Sequence, residues 1–298
     1  MQVYHVPVML KECVDGLNIQ PEGIYVDVTY GGGGHSKAIL EKINHGKLIA
    51  FDQDIDATAH LMQDDRFVFV NRNFKHLKSM LRVNGISSVD GILADLGVSS
   101  FQLDTEERGF AHRMEGPLDM RMDKNTSLTA EEIVNSYASS QLQRIFSEYG
   151  EVRNARTLAL HLAEARFKFK IDTVGKLLQV MTPVIRGNKN RYLSQVFQAL
   201  RMEVNDELAV LRDFLEQSRQ VLKSGGRLVV LSYHSIEDRI VKNFFRYGNT
   251  SGETVKDFFG QEEKFFRLIN KKPLEASEEE VKHNPRAHSA RLRIAEKI

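Results

Sequence analysis

The chain predicts an α/β fold: a doubly wound sheet of parallel strands joined by helices, with a helical domain inserted into it. Three observations carry this expectation. A β-branched run, Ile24 to Thr29, leads through four glycines, Gly31 to Gly34, into a helical segment, Lys37 to Ile43. Short apolar runs recur after it, alternating with helical patterns and closed by polar residues. About 130 residues then separate the fourth run from the fifth, far more than a crossover needs.

Taken in order, Ala38, Ile39, Leu40 and Ile43 give the first helix its apolar face. Lys47 to Phe51 reads as a second strand ending at Asp52, with a helix starting near Asp56. Arg66 to Val70 is a third strand, Phe74 to Val83 a helix, and Gly91 to Ala94 a fourth strand ending in Asp95. The fifth strand, Arg227 to Leu231, is introduced by Gly225-Gly226 and followed by a helix over Ile236 to Phe245. Helical patterns fill the long interval at Ala130 to Val134, Gln141 to Tyr149, Ala155 to Phe167 and Val174 to Val184. The expected division is a discontinuous sheet domain, residues 1–104 and 202–298, around an inserted helical domain, 105–201.

Apolar residues make up 42% of the 298, enough for a packed globular core. Cys13 is the only cysteine, so no intramolecular disulfide forms. Neither a signal-type opening nor an apolar run of membrane-spanning length is present in the pattern, and a cytoplasmic setting without membrane contact is expected. With a formal net charge of +1, any nucleic-acid contact must come from a local patch. Monomer and homodimer both stay open, and no metal site is expected.

A bare glycine turn between strand and helix lets a ligand approach the main chain beside unpaired helix N–H groups. A dinucleotide would want a third glycine where this chain has Ser36. Asp27, four residues before the loop, would repel a pyrophosphate and suit the cationic methionine end of S-adenosylmethionine. Asp52, eighteen residues past Gly34, stands where a carboxylate accepts from a ribose diol, although Asp54 and Asp56 beside it also fit an acidic capping turn. Two further loops follow apolar strands: Asp95 to Asp104, and Ser232 to Arg239. Capping of the next helix accounts for Ser235 and leaves Tyr233 and His234 unexplained.

Successive segments resemble one family. They are Asp27-Val28-Thr29-Tyr30-Gly31-Gly32-Gly33-Gly34-His35-Ser36, Asp95-Leu96-Gly97-Val98-Ser99-Ser100, Leu118-Asp119-Met120-Arg121-Met122-Asp123, Phe197-Gln198-Ala199-Leu200-Arg201, Ser232 through Arg239, and Asn284 through Arg293. With the opening His5-Val6-Pro7-Val8-Met9-Leu10, they look like the signatures of the RsmH (MraW) methyltransferases, in order from residue 5 to about 295. The resemblance implies a class I S-adenosylmethionine-dependent methyltransferase with a Rossmann-like sheet. It implies methylation of N4 of a cytidine in the decoding region of bacterial 16S ribosomal RNA, within the small ribosomal subunit. It places cofactor contacts on Gly33, Gly34, His35, Asp52, Phe74, Asp95 and Gln102; Phe74 and Gln102 come from the resemblance alone.

This chain departs from the family at Ala111-His112, where a second aromatic is usual, at Tyr233, where phenylalanine is common, and at Gln195-Val196. It also lacks the Asp/Asn-Pro-Pro-aromatic loop of many amino-group methyltransferases. Asp95, Tyr233 and His234 are the candidates for catalysis: acceptors aimed at the amine to localise its lone pair, with Tyr233 placed to stack on an extruded base. Candidate phosphate contacts are Arg166, Lys168, Lys170, Lys176, Arg186, Lys189 and Arg191 in the insertion, which is expected to recognise substrate, and Lys282, Arg286, Arg291 and Arg293 near the C-terminus. Two rivals are a non-enzymatic ribosome-assembly factor that binds S-adenosylmethionine, and a nicotinamide oxidoreductase, disfavoured by Ser36 and Asp27.

Overall fold

Buried β-branched and aliphatic runs set the strands, and their chain order sets the sheet. A computed structural model of the protein describes residues 7–254, 260 and 262–298, so His5 and Val6 of the opening signature lie outside the described residues. The Cα positions separate into two compact units, Met1–Gly97 with Leu208–Ile298, and Val98–Glu207.

The first unit begins with α1 (Leu10–Gly16), followed by β1 (Ile24–Asp27), α2 (Gly34–Leu40), β2 (Lys47–Phe51), β3 (Phe67–Val70), α3 (Leu77–Val83) and β4 (Val89–Asp95). The second unit holds α4 (Ser100–Asp104), α5 (Ala130–Ser136), α6 (Ser139–Glu148), α7 (Ala155–Ala165), α8 (Val174–Met181) and α9 (Lys189–Val204). From Leu208 the chain belongs again to the first unit, with α10 (Glu207–Val221), β5 (Leu222–Ser232), α11 (Ser235–Tyr247), β6 (Phe266–Leu268), β7 (Leu274–Glu275), α12 (Glu278–His283) and β8 (Arg291–Lys297).

Among the described residues the sheet order is β3-β2-β1-β4-β5-β8-β6, with β7 also paired to β8. Strands β1 to β5 are parallel, and Val26 lies opposite both Ile49 and Ile92. Strand order reverses between β1 and β4, so the loops after these two strands open side by side at the carboxyl edge, where ligands of such sheets bind. Against one face pack Val14, Leu17, Ile39 and Ile43, with Leu48, Leu93, Val229 and Ile294 from the strands.

The second unit has its own core, from Phe110 and Leu118 through Phe146, Leu158, Val174 and Val196 to Val204. Its helices begin at side-chain caps that the sequence supplies: Thr129 before α5, Thr173 before α8 and Asn188 before α9. In α7, Ala155, Leu158, Ala159 and Leu162 are buried, the i, i+3, i+4, i+7 stripe of an amphipathic helix.

The unit boundaries fall at 97/98 and 207/208 rather than at 104/105 and 201/202. Ser99 and Gln102 close a reciprocal capping box that starts α4, and α9 runs unbroken through Arg201 to Val204. Three further differences appear. The helix expected near Asp56 is a 3-10 turn, Ile55–His60, capped by Asp54. The fifth strand extends back to Leu222 through an irregularity opposite Val89/Gly91. Of the basic residues near the C-terminus, Lys282 lies in α12 and Arg286 in a 3-10 turn, while Arg291 and Arg293 belong to the antiparallel strand β8, set between β5 and β6, which makes the sheet mixed at that side.

Candidate active site

Asp27 ends β1, and its carboxylate is fully buried. Oδ2 accepts from the Ser36 hydroxyl at 2.7 Å and Oδ1 from the Thr29 N–H at 3.1 Å. Burial raises its pKa, opposed by the nearby His35 and by these hydrogen bonds. This corrects the expectation that Asp27 faces the cationic end of a ligand. It ties the end of β1 to the first turn of α2, and Ser36 supplies the hydroxyl it needs where a dinucleotide loop would have glycine. Thr29 Oγ1 in turn accepts the Asp95 N–H at 2.7 Å, joining the ends of β1 and β4.

Within the loop, Gly33 has φ +78°, and a Cβ there would lie 2.7 Å from the Tyr30 hydroxyl. Tyr30 is held by donation to the His60 carbonyl at 2.5 Å and packs edge-on against Phe69. Gly34 meets Pro7, where a Cβ would come within 2.2 Å of the ring. At Gly32 no heavy atom lies within 4 Å of a Cβ position.

Asp52, just past β2, reaches back to this loop. Its Oδ2 accepts the Gly31 N–H and its Oδ1 the Asp54 N–H, both at 2.8 Å. Burial raises its pKa to about 6 against the pull of these two bonds. Each oxygen has a further lone pair, so the carboxylate can still accept from two hydroxyls. Asn71 donates to the Asp52 carbonyl and Asn73 to Gln53, linking the ends of β2 and β3. Phe74, in the turn after β3, is half-buried, with its ring edge-on to Phe214 at 5.3 Å.

At the end of β4, Asp95 sits between two aromatic groups. Oδ1 accepts from the Tyr233 hydroxyl at 2.7 Å, and Oδ2 lies 3.8 Å from Nδ1 of His35. Burial lifts its pKa to about 6, while His35 and the Tyr233 hydrogen bond act against the rise. His35 Nε2 is 3.1 Å from the Val8 carbonyl, which can only accept, so that nitrogen carries a hydrogen. Tyr233 has a strongly raised pKa, from burial first and then from the Asp95 charge, and stays protonated.

The structure therefore brings Gly33, Gly34, His35, Asp52, Asp95 and Tyr233 to one edge of the first unit. His234 has a different place from Ser235 in the expected capping: His234 itself is the N-cap of α11, its Nδ1 accepting the Glu237 N–H at 3.4 Å. Its Nε2 lies 3.1 Å from Glu237 Oε1. Glu237 also accepts the Tyr233 N–H at 3.1 Å, so it fixes both residues of this turn. Beside Tyr233 and His234 lies a cavity of about 370 Å³ that His288 and Arg291 help to line. Gln102 belongs to the second unit, where its amide closes the capping box with Ser99.

Sequence reading missed Thr29 and Glu237; the signal for each was a polar residue inside an apolar strand end or a helix first turn. The basic candidates differ in what they already hold. Arg293 is buried in a bidentate pair with Asp238 at 2.6 and 3.0 Å, and Arg291 approaches the same carboxylate at 3.6 Å. Arg166 donates to the Tyr137 and Val134 carbonyls, Lys170 pairs with Glu131 and Lys176 with Asp172. Lys168, Arg186, Lys189, Arg191 and Lys282 are exposed.

Two further signatures serve the architecture of the second unit. Arg121 pairs with Asp119 through two hydrogen bonds, and Asn205 clamps Met120 and Met122. His112 sets its ring edge-on to Phe197 at 5.7 Å, which supplies the ring contact a second aromatic would make. Burial, Arg113 and Lys189 lower its pKa, so this ring is neutral.

Parallel strands in the order 3-2-1-4-5, with an antiparallel strand beside β5, a glycine loop after β1 and carboxylates after β2 and β4, define a Rossmann-like fold of the class I methyltransferase kind. The model of the MraW methylase family matches residues 2–298, and the chain belongs to that family. It is 53% identical over 298 residues to a protein of Cytophaga hutchinsonii, covering 99% of this chain and 100% of that protein. A Flavobacterium psychrophilum protein is 55% identical over 291 residues, with 97% of this chain and 100% of that protein covered. One from Phocaeicola vulgatus is 51% identical, with 99% and 98% covered. All three bear the name ribosomal RNA small subunit methyltransferase H.

Proposed function

We propose that the protein methylates N4 of a cytidine in the decoding region of 16S ribosomal RNA, acting on the small ribosomal subunit. As a MraW-family methylase it uses S-adenosylmethionine, which when bound supplies an electrophilic methyl group on a sulfonium. The residues present fit that group. Gly32 leaves open space at the loop, and Asp52 keeps lone pairs for two ribose hydroxyls. Gly33, Gly34, His35 and Phe74 are the further contacts we assign to it.

Asp95 carries the reading: a carboxylate at the β4 end, fixed by Tyr233, with a pKa of about 6. Ionised at neutral pH, it accepts a hydrogen bond from the cytosine amine, which concentrates the nitrogen lone pair, and then takes the proton the amine must lose. The Tyr233 hydroxyl spends its proton on Oδ1 and leaves Oδ2, on the His35 side, as the basic oxygen. Tyr233 and His234 also line the cavity in which we place the nucleotide. The role of His234 is positional, through its cap on α11. A non-enzymatic assembly role would need none of the Asp95 arrangement.

Mass spectrometry of small-subunit RNA from cells carrying the intact protein, Asp95→Asn, or no protein tests the reading. An N4-methylcytidine that disappears in both the variant and the deletion is expected; its persistence without the protein would refute it.

A further inference from the structure

In the second unit, the segment from Arg166 to Lys170 turns two aromatic rings outward between cations. Phe167 is 86% exposed and Phe169 is 37% exposed, with the exposed Lys168 between them. A ring this exposed contributes little to its own unit's core, yet its backbone is firmly held. Arg166 Nη1 donates to the Tyr137 carbonyl at 2.7 Å, and the Lys168 N–H to the Ala165 carbonyl at 2.9 Å. On the other side, Ile171 is tied to Asn135 through both its N–H, at 3.1 Å, and its carbonyl, at 2.8 Å. The turn is pinned on both sides of the rings, so little backbone ordering remains to be lost when something binds them.

We propose that Phe167 and Phe169 form a stacking platform for unpaired bases of an RNA strand, with Lys168 against its phosphates. The inference rests on the RNA substrate of the preceding reading and adds to it where the strand is gripped. Alternation of rings with a cation is what sequence-tolerant single-strand binding uses, since every base has a π-face and every linkage a charge. A protein-docking centre is instead depleted in lysine. A base that must leave its stack to be methylated is flanked by strand that is unpaired or easily unpaired, which is the form these rings fit.

The chain contains no tryptophan, so Phe167→Trp installs a single fluorophore at the platform. Titration with a single-stranded oligoribonucleotide is expected to quench its emission, a duplex of equal length far less, and heparin not at all. Phe167→Ala should keep the wild-type melting temperature and weaken oligoribonucleotide binding roughly 5- to 150-fold, the range for losing one stacked base. Emission indifferent to RNA, or quenched equally by heparin, would overturn the platform. So would an unchanged RNA affinity in Phe167→Ala together with the loss of a self-associated form, which would make the patch a protein interface. Wild-type protein that methylates small subunits while the tryptophan stays silent refutes the platform and spares the functional reading. Wild-type protein that transfers no methyl group refutes that reading, and the platform with it.

Discussion

The Tyr233 hydroxyl donates to Asp95 Oδ1 at 2.7 Å, joining the turn after β5 to the end of β4 across one strand boundary. A bond to the charged form lowers the carboxyl pKa, so without it the value must rise above its present about 6. Tyr233→Phe is therefore expected to shift the acidic limb of the kcat/KM profile upward by about 1–2 pH units, the scale of a hydrogen bond to a charged acceptor. Methyl-transfer rates between pH 5 and 9 measure this, and an unmoved limb would remove Asp95 as the titrating base.

The same burial makes Asp95 a cost to stability. Its folded pKa of about 6 exceeds the unfolded value near 3.8, so the folded state holds the proton more tightly. The contribution of Asp95 to stability is then greatest below pH 4 and falls as pH climbs from 4 to 6. Asp95→Asn, which cannot ionise and still accepts from Tyr233, is expected to be more stable than wild type at pH 8, by at most about 3 kcal/mol, and about equally stable at pH 4. Calorimetry at the two pH values decides it; a gap independent of pH would contradict the assignment.

In the glycine loop, two neighbours separate folding from ligand approach. Gly33→Ala forces a side chain into φ +78° against the Tyr30 hydroxyl and should destabilise by about 1–2 kcal/mol or more. Gly32→Ala meets nothing and should melt as wild type, yet bind S-adenosylmethionine more weakly. Asp52→Asn, which loses charge and one backbone acceptor, should lower the same affinity by about 1.5–3 kcal/mol. Titration calorimetry reads all three, and full affinity in Gly32→Ala would move the donor away from the loop.

Basic residues of two kinds give opposite outcomes. Replacing Arg186, Lys189 and Arg191 with alanine should leave stability and S-adenosylmethionine affinity near wild type while flattening the salt dependence of RNA binding. Arg293→Ala should cost roughly 3–5 kcal/mol of stability, because it strands the buried Asp238, less whatever Arg291 takes over at 3.6 Å. Binding measured at several salt concentrations, beside denaturant unfolding, tests the pair. An unaltered salt slope in the triple variant would leave the second unit without phosphate contacts there.

The amino-acid sequence by itself determined the strand–glycine–helix unit at residues 24–43, the strands that end at Asp52 and Asp95, and the helical interval between β4 and β5. These are local: periodicity, glycine and caps act within a few residues, and the strand ends put their polar groups at one edge of the sheet. Tertiary structure decided what each charge does. Asp27 and Arg293 look alike in sequence to Asp52 and Arg186, but Asp27 is spent on Ser36 and Arg293 on Asp238, in both cases by a partner brought near only when β-strands and helices pack. The same packing sets β8 antiparallel beside β5, a pairing across 59 or more residues that no local pattern encodes. It also gives Asp95 its two neighbours, Tyr233 and His35, because desolvation and long-range hydrogen bonds belong to the assembled sheet edge rather than to any stretch of chain.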